Sequence, residues 1–116
     1  MQARLLVIKG KNAGASIEVT AKGAVSIGRG DESSVPMFDP GLSRRHFTLV
    51  QDNGGVLITD LKSTNGTYVN SERIGGTQPL HHGDIIAAGS SLFEFRVQED
   101  ADNETTQIFL SKESRG

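Results

Sequence analysis

The chain has 116 residues, 35% hydrophobic and 5% aromatic, with a formal net charge of −2. That length indicates one domain, and the near-neutral charge argues against a nucleic-acid partner, which usually needs a basic face. The absence of cysteine excludes disulfides, thiolate catalysis and cysteine-ligated zinc, and no apolar run is long enough to predict a membrane span.

Six segments of the first 98 residues alternate apolar and polar side chains, which is the pattern of half-buried strands. Turn clusters rich in Gly, Asn and Asp separate them, and no stretch of ten or more residues shows helical spacing. The sequence therefore predicts an all-β fold, a two-sheet antiparallel β-sandwich of about ten to eleven strands. The apolar sets are Leu5 and Val7, Ile17 and Val19, Val25 and Ile27, Phe47 and Leu49, Val56 and Ile58, and Phe93, Phe95 and Val97.

The first polar loop of interest, Gly28-Arg29-Gly30, follows the third of these predicted strands. Arginine carries a planar, permanently charged fork that can pair with two oxygens of a phosphate. The alternative for Arg29 taken alone is a solvated loop residue paired with Asp31. The loop is not a nucleotide-binding P-loop, because the Lys-Ser/Thr pair and the following helix are missing.

A second polar segment, from Ser43 to His46, leads into the fourth predicted strand. The Ser43 hydroxyl can donate to an anion, and Arg44 adds a second cation. The competing interpretation is a nucleophilic serine with His46 as base and Asp60 or Asp84 as the orienting carboxylate. Three residues of separation do not provide that geometry, and no nucleophile elbow is present. We therefore predict no catalytic residue here, and we expect His46 to bury its ring and connect loops through both nitrogens.

A third polar segment, D-L-K-S-T-N-G-T-Y-V-N, begins at Asp60. Asn65 and Gly66 can both take positive φ, as a tight reversal between strands requires. The hydroxyls of Ser63 and Thr64 lie on the same bend as the Asn65 amide. If the three polar segments converge, their cations, hydroxyls and amide suit a bound phosphate monoester.

His81 and His82 stand beside Asp84, which raises the question of a metal site. Adjacent residues of an extended chain point to opposite sides, so the two rings are poorly placed for one ion. We predict a hairpin turn here, with no metal and no cofactor.

Together these segments resemble a forkhead-associated (FHA) domain, the phosphothreonine-binding β-sandwich. The resemblance covers about residues 4–98 and implies a non-enzymatic signalling module. Its partners would be phosphothreonine-containing proteins or peptides and a Ser/Thr kinase. A phosphate-independent interaction module is the alternative, because fold alone does not fix function. The matching residues are Gly28-Arg29, Ser43-Arg44-x-His46, Ser63-x-Asn65-Gly66-Thr67, Gly83-Asp84 and the strand Leu92-Phe93-Glu94-Phe95.

The resemblance also implies roles for individual residues. Four side chains would contact the phosphate, one would hold the peptide backbone, and three residues would shape the loops. A dianionic phosphate would gain short, charge-assisted hydrogen bonds from such a site. These residues are, in that order, Arg29, Ser43, Arg44 and Thr64; Asn65; and Gly28, His46 and Gly66.

One position departs from the pattern of some FHA domains. Where those members carry a charged residue that reads the third residue after the phosphothreonine, this chain has Gly41. A glycine has no side chain for that task. We therefore expect an apolar or weak preference there rather than an acidic one.

Residues 1–98 are predicted to form the domain, and residues 99–116 an acidic, flexible tail with five Asp+Glu against two Lys+Arg. Thr105 and Thr106 resemble the double-threonine phosphorylation sites of some bacterial FHA tails, which predicts phosphorylation-dependent self-association; an ordinary acidic linker is the alternative. Gln98 and Thr105 are at most about 25 Å apart, and the last strand is expected to end opposite the phosphate-binding loops, so binding in trans is favoured.

No secretory signal is visible, which predicts a cytoplasmic location.

Overall fold

The computed structural model describes residues 1–98, which form eleven β-strands in two sheets. This confirms the predicted all-β sandwich. The predicted tail with Thr105 and Thr106 lies outside the described residues. The strands are β1 Gln2–Lys9, β2 Ser16–Val19, β3 Val25–Gly28, β4 Val35–Pro36, β5 Phe47–Asp52, β6 Gly55–Asp60, β7 Thr67–Val69, β8 Glu72–Arg73, β9 Thr77–Leu80, β10 Ile85–Ala88 and β11 Ser91–Gln98.

One sheet has the strand order β2-β1-β11-β10-β7-β8, and the other has the order β4-β3-β5-β6-β9. The strand pairs are antiparallel except for β3 and β4, which run parallel with Ile27 opposite Val35. The sandwich is therefore antiparallel, as predicted, with one parallel pair of two-residue contacts. The cause of the parallel pairing is local, because the chain loops out after β3 and returns alongside itself. Two hydrogen bonds, Ser26 N to Ser34 Oγ at 3.1 Å and Ser34 N to Ser26 Oγ at 2.7 Å, close the base of that loop.

The core lies between the two sheets and is built from the alternating apolar residues. Phe47 of one sheet and Phe93 of the other are fully buried and meet edge to face, with ring centroids 5.6 Å apart. Burying an aromatic ring of this size stabilises a fold by about 2–3 kcal/mol. The predicted inward-facing residues are buried, apart from Val97, which is half-buried. Within residues 1–98, no helix is long and apolar enough to cross a membrane.

The two ends of the sandwich differ in what they carry. At one end the β4–β5 loop contacts three other connections: Phe38 N donates to Asn12 Oδ1, Asn65 Nδ2 to Gly41 O, and Ser90 N to an Asp39 oxygen. Strand β11 starts at this end, next to Asp39, and runs for eight residues, about 24 Å. Its last residue, Gln98, pairs with Gln2, the first residue of β1. The β1–β2, β4–β5, β6–β7 and β10–β11 connections form what we call the loop cluster, and the final strand ends at the opposite end of the sandwich, as expected.

The Asn-Gly pair does not make the tight reversal that its sequence predicts. Gly66 has a φ of 87°, but Asn65 is not among the described residues with positive φ. Residues 61–66 carry the chain from β6 in one sheet to β7 in the other, and side-chain hydrogen bonds determine the bend. Tight reversals occur instead at Asn53-Gly54, with φ of 51° and 81°, and at Asn70-Ser71, with φ of 50° and 72°.

Candidate functional site

The loops that follow β3 and precede β5 lie side by side. Arg29 N donates to Ser43 O and Gly30 N donates to Arg44 O, each at 3.0 Å. Gly28 makes this approach possible, since a Cβ there would lie 2.2 Å from the Arg44 carbonyl oxygen. The backbone thus brings Arg29 beside Ser43 although the two residues are fourteen positions apart in the chain.

The β6–β7 loop, which runs from the sheet of β3 and β5 to the other sheet, joins this pair. Thr64 N donates to Ser43 Oγ at 3.0 Å, and Asn65 Nδ2 donates to Gly41 O at 2.9 Å. Because the Ser43 oxygen accepts from Thr64, its own proton remains available for an anion. The structure therefore brings Arg29, Ser43, Thr64 and Asn65 to one end of the sandwich, on three loops.

His46 connects two of these loops from below. Its ring is fully buried; Nδ1 accepts from Ser43 N at 3.0 Å, and Nε2 donates to Gly66 O at 2.8 Å. An Nδ1 that accepts carries no proton, so these bonds select the tautomer protonated at Nε2. Neither ring nitrogen bonds the Ser43 hydroxyl. The nucleophilic arrangement considered from the sequence is therefore not formed, since both nitrogens already hold backbone groups.

Asp60 organises the β6–β7 loop, a role that our reading of the sequence missed. Its carboxylate accepts from the Ser63 hydroxyl, from Ser63 N at 3.2 Å and from Thr67 Oγ1 at 2.7 Å. Ser63 Oγ in turn accepts from Gly66 N at 3.0 Å. Ser63 is 7% exposed, so the expectation that its hydroxyl faces the same volume as Thr64 was wrong. The signal was present, because an Asp followed by Ser three residues later often forms such local bonds.

The Asp60 hydrogen bonds predict a pH-dependent contribution to stability. Partial burial raises the pKa of Asp60, but hydrogen bonds from Ser63 and Thr67 outweigh it and the pKa is lowered. A lowered folded-state pKa stabilises the fold above the unfolded value of about 3.9, and the contribution is lost as pH falls through the folded value. We expect Asp60→Asn to lower the free energy of unfolding by about 1–3 kcal/mol at pH 7, with a smaller gap from the wild type below about pH 4.

Urea unfolding of both proteins at pH 7 and in acid measures this gap. Asp52→Asn removes a carboxylate from an exposed hairpin position where the side chain has no hydrogen bond within residues 1–98, and it should change stability little. A gap between Asp60→Asn and the wild type that stays constant through the acid range would contradict the assigned cause.

Asp39 is a second structural residue that sequence reasoning missed. The side chain is 5% exposed and accepts from Gly41 N and Ser90 N at 2.9 Å and from Ser91 Oγ at 2.6 Å. These bonds fix the β4–β5 loop to the β10–β11 turn. They also press Gly41 against Gly89, where a Cβ on Gly41 would lie 2.9 Å from the Gly89 Cα. A glycine at position 41 is therefore a packing requirement as well as a departure from the pattern of some FHA domains.

The two predicted phosphate-binding arginines differ in their surroundings. The exposed Arg29 guanidinium makes no hydrogen bond or ion pair with any residue of 1–98, so the pairing with Asp31 is not observed. Arg44 instead donates to Glu32, from Nε to Oε2 at 2.9 Å and from Nη2 to Oε1 at 3.3 Å. The hydrogen bond from Arg44 lowers the pKa of Glu32. Of these two arginines, Arg29 is thus the one whose guanidinium has no partner within residues 1–98.

His81 and His82 lie at the other end of the sandwich and make separate contacts. His81 N donates to Asp84 Oδ2 at 2.8 Å, which forms the turn, while His82 Nδ1 accepts from Val97 N at 2.9 Å. No group of three or more His, Cys, Asp or Glu residues in the described part of the chain could hold a metal ion.

A β-sandwich that gathers cationic and hydrogen-bonding side chains on the loops at one end has the architecture of a loop-based recognition module, in which a rigid scaffold presents the binding residues. The family is shown by comparison with known sequences. The FHA domain family model matches residues 25–89, more than half of the chain, and the chain belongs to that family.

Known relatives agree with this assignment. The FHA domain-containing protein FhaA of Mycobacterium tuberculosis is 41% identical over 76 residues, which cover 66% of this chain but 14% of FhaA. A solved FHA domain from a study of phosphothreonine-dependent FHA domain interactions has a TM-score of 0.77 and 31% identity, covering 85% of this chain and 99% of that one. The MEK1 FHA domain, solved with the HOP1 pThr318 peptide, has a TM-score of 0.70 and 25% identity, covering 84% of this chain and 97% of that one. The chain thus spans a small part of FhaA but nearly the whole of these solved domains.

Proposed function

We propose that this domain binds phosphothreonine-containing peptides by simple equilibrium, without catalysing a reaction. The observation that carries the proposal is the meeting of three loops at one end of the sandwich, where Arg29 N bonds Ser43 O and Thr64 N bonds the Ser43 hydroxyl, beside an Arg29 guanidinium that has no partner within residues 1–98. A dianionic phosphate would replace water at these donors with charge-assisted hydrogen bonds. Solved FHA neighbours described with phosphothreonine-dependent interactions and with a phosphothreonine peptide support it.

The proposed division of labour follows from the hydrogen bonds that are already made. Arg29 pairs with two phosphate oxygens. The Ser43 oxygen accepts from Thr64 N, so Ser43 can donate its hydroxyl proton to the phosphate. The Thr64 hydroxyl has no partner within residues 1–98 and can bond a further oxygen. Asn65 uses one amide N–H on Gly41 O and keeps a second N–H and its oxygen for the backbone of the peptide. Among the proposed phosphate contacts, Arg44 is the one that must first break its ion pair with Glu32.

The surface beside this cluster supports an apolar preference next to the phosphothreonine. Gly41 offers no charge, and Phe38, three residues before it, is 81% exposed at the same end of the sandwich. An exposed aromatic ring on a soluble domain favours contact with an apolar side chain. We propose that peptides with apolar residues after the phosphothreonine bind better than acidic ones.

We also propose two kinds of protein partner, a Ser/Thr kinase and a second copy of this chain. A Ser/Thr kinase would create the ligand, and a tail phosphorylated at Thr105 or Thr106 would allow one molecule to bind another. Sizing the phosphorylated and unphosphorylated chain side by side tests the second idea, and identical monomeric profiles would count against it. The cytoplasmic location stays a prediction.

The primary test is titration of the domain with matched peptides that differ only at the central residue. We expect a phosphothreonine peptide to bind at least about 100-fold more tightly than its unmodified form, because the charge-assisted contacts to the phosphate account for most of the affinity. A library that randomises the flanking residues measures their preference in the same experiment. Equal binding of phosphorylated and plain peptides would favour a phosphate-independent interaction module instead.

A further inference from the structure

The Glu32–Arg44 ion pair stands directly beside the proposed phosphate site. Glu32 lies on the loop that follows Arg29, and Arg44 lies next to Ser43, so the pair bridges the two loops that carry the main phosphate contacts. The carboxylate is placed over Gly30, where a Cβ would lie 2.2 Å from Glu32 Oε1 and 3.0 Å from the Arg44 Cβ. The absence of a side chain at Gly30 therefore leaves the space in which the Glu32 carboxylate meets Arg44.

We propose that Glu32 is an internal competitor of the phosphate: it occupies the Arg44 guanidinium in the free domain and must release it when a phosphopeptide binds. The inference rests on the proposed function and deepens it. It assigns to Glu32, which no sequence motif singled out, a direct influence on affinity.

The chemistry of the two acceptors supports a competition. A carboxylate and a phosphate both present oxygens that match the arginine fork, and Glu32 already uses Arg44 Nε and Nη2. Glu32 remains ionised at neutral pH, since the hydrogen bond from Arg44 lowers its pKa. The pair is exposed, with side-chain accessibilities of 64% for Arg44 and 45% for Glu32. Exposed ion pairs are weak, so a dianionic phosphate held by Arg29 and Ser43 can draw Arg44 away.

Competition has a signature that simple charge repulsion lacks. If Glu32 acts by holding Arg44, removing its charge helps binding only while Arg44 is present. If Glu32 merely repels the phosphate, removing its charge helps equally without Arg44. If Glu32 instead orients Arg44 toward the phosphate, removing its charge weakens binding.

A double-mutant cycle with a phosphothreonine peptide separates these cases. We expect Glu32→Gln to raise the affinity about three- to tenfold, and to change it less than about twofold in an Arg44→Gln background. Arg44→Gln should cost more affinity in the Glu32→Gln background than in the wild type. Asp31→Asn, on the same loop with the same change in charge, is the matched control and should change affinity less than about twofold. Thermal unfolding checks that each variant folds.

Each outcome of the double-mutant cycle either supports or overturns the proposed competition. An equal gain from Glu32→Gln with and without Arg44, no gain at all, or a loss of affinity overturns the competition while leaving phosphopeptide binding in place. If the wild type binds phosphorylated and plain peptides equally, the proposed function and this inference fall together. A gain that depends on Arg44 supports it.

Discussion

Replacing Arg29 with alanine is expected to lower the affinity for a phosphothreonine peptide at least about 100-fold. Two arginines are predicted to contact the phosphate. Arg44 is paired with Glu32, whereas the Arg29 guanidinium is not paired with any carboxylate of residues 1–98. The same absence of contacts means that the side chain contributes little to the fold, so thermal stability should be unchanged. Calorimetric titration and thermal unfolding of the variant measure the two effects separately.

Two further variants sharpen this test. Arg29→Lys keeps the positive charge but loses the planar fork, and an intermediate loss of affinity is expected. Arg4→Ala removes an exposed arginine from β1, outside the loop cluster, and should bind like the wild type apart from a small charge effect. An unchanged affinity in Arg29→Ala would refute the role of this residue, as would a loss of affinity matched by Arg4→Ala.

The sequence predicted those parts of the molecule that depend on local pattern. Alternation of apolar residues identified the inward-facing positions, because a strand with one buried face imposes a period of two. Phe47 and Phe93 could therefore be assigned to the core, although their contact with each other could not. The chain order of the polar segments gave the candidate binding residues, and the resemblance to a family supplied the expectation that the segments meet.

What the sequence left open depends on side-chain hydrogen bonds over long separations. Asp39 reaches Ser91, 52 positions later, and Glu32 reaches Arg44, 12 positions later. Neither pair forms a motif, because each depends on how two loops are placed by the sheets. The inward turn of Ser63 has a different cause: a nearby carboxylate competes for its hydroxyl. Such competition is decided by local geometry rather than by residue type.

The loop cluster is held in place before any ligand arrives. Backbone bonds join the Arg29 and Ser43 loops, Thr64 N holds the Ser43 hydroxyl, and His46 fixes both Ser43 and Gly66 from the core side. A preorganised site loses less conformational freedom on binding, which favours affinity. The buried histidine is therefore the point where the stability of the fold and the geometry of the site depend on the same contacts.

Replacing His46 with alanine is expected to lower the free energy of unfolding by about 3–5 kcal/mol. The substitution leaves a cavity beneath the loops and removes the ring partners of Ser43 N and Gly66 O, and each cost is of the order of 1–3 kcal/mol. His81→Ala is the matched control, because His81 has a side chain that is 79% exposed at the opposite end of the sandwich, and it should change stability by less than about 0.5 kcal/mol. Denaturant unfolding compares the three proteins.

The same variant tests whether His46 also sets the geometry of the site. At a temperature where His46→Ala is still folded, its affinity for a phosphothreonine peptide should be reduced, because the Ser43 and Gly66 loops have lost the ring that connects them. His46→Gln should recover part of the stability by filling part of the cavity, but little of the affinity, since its amide lacks the rigid placement of two ring nitrogens on opposite sides. A folded His46→Ala domain with wild-type affinity would show that the histidine supports the fold alone.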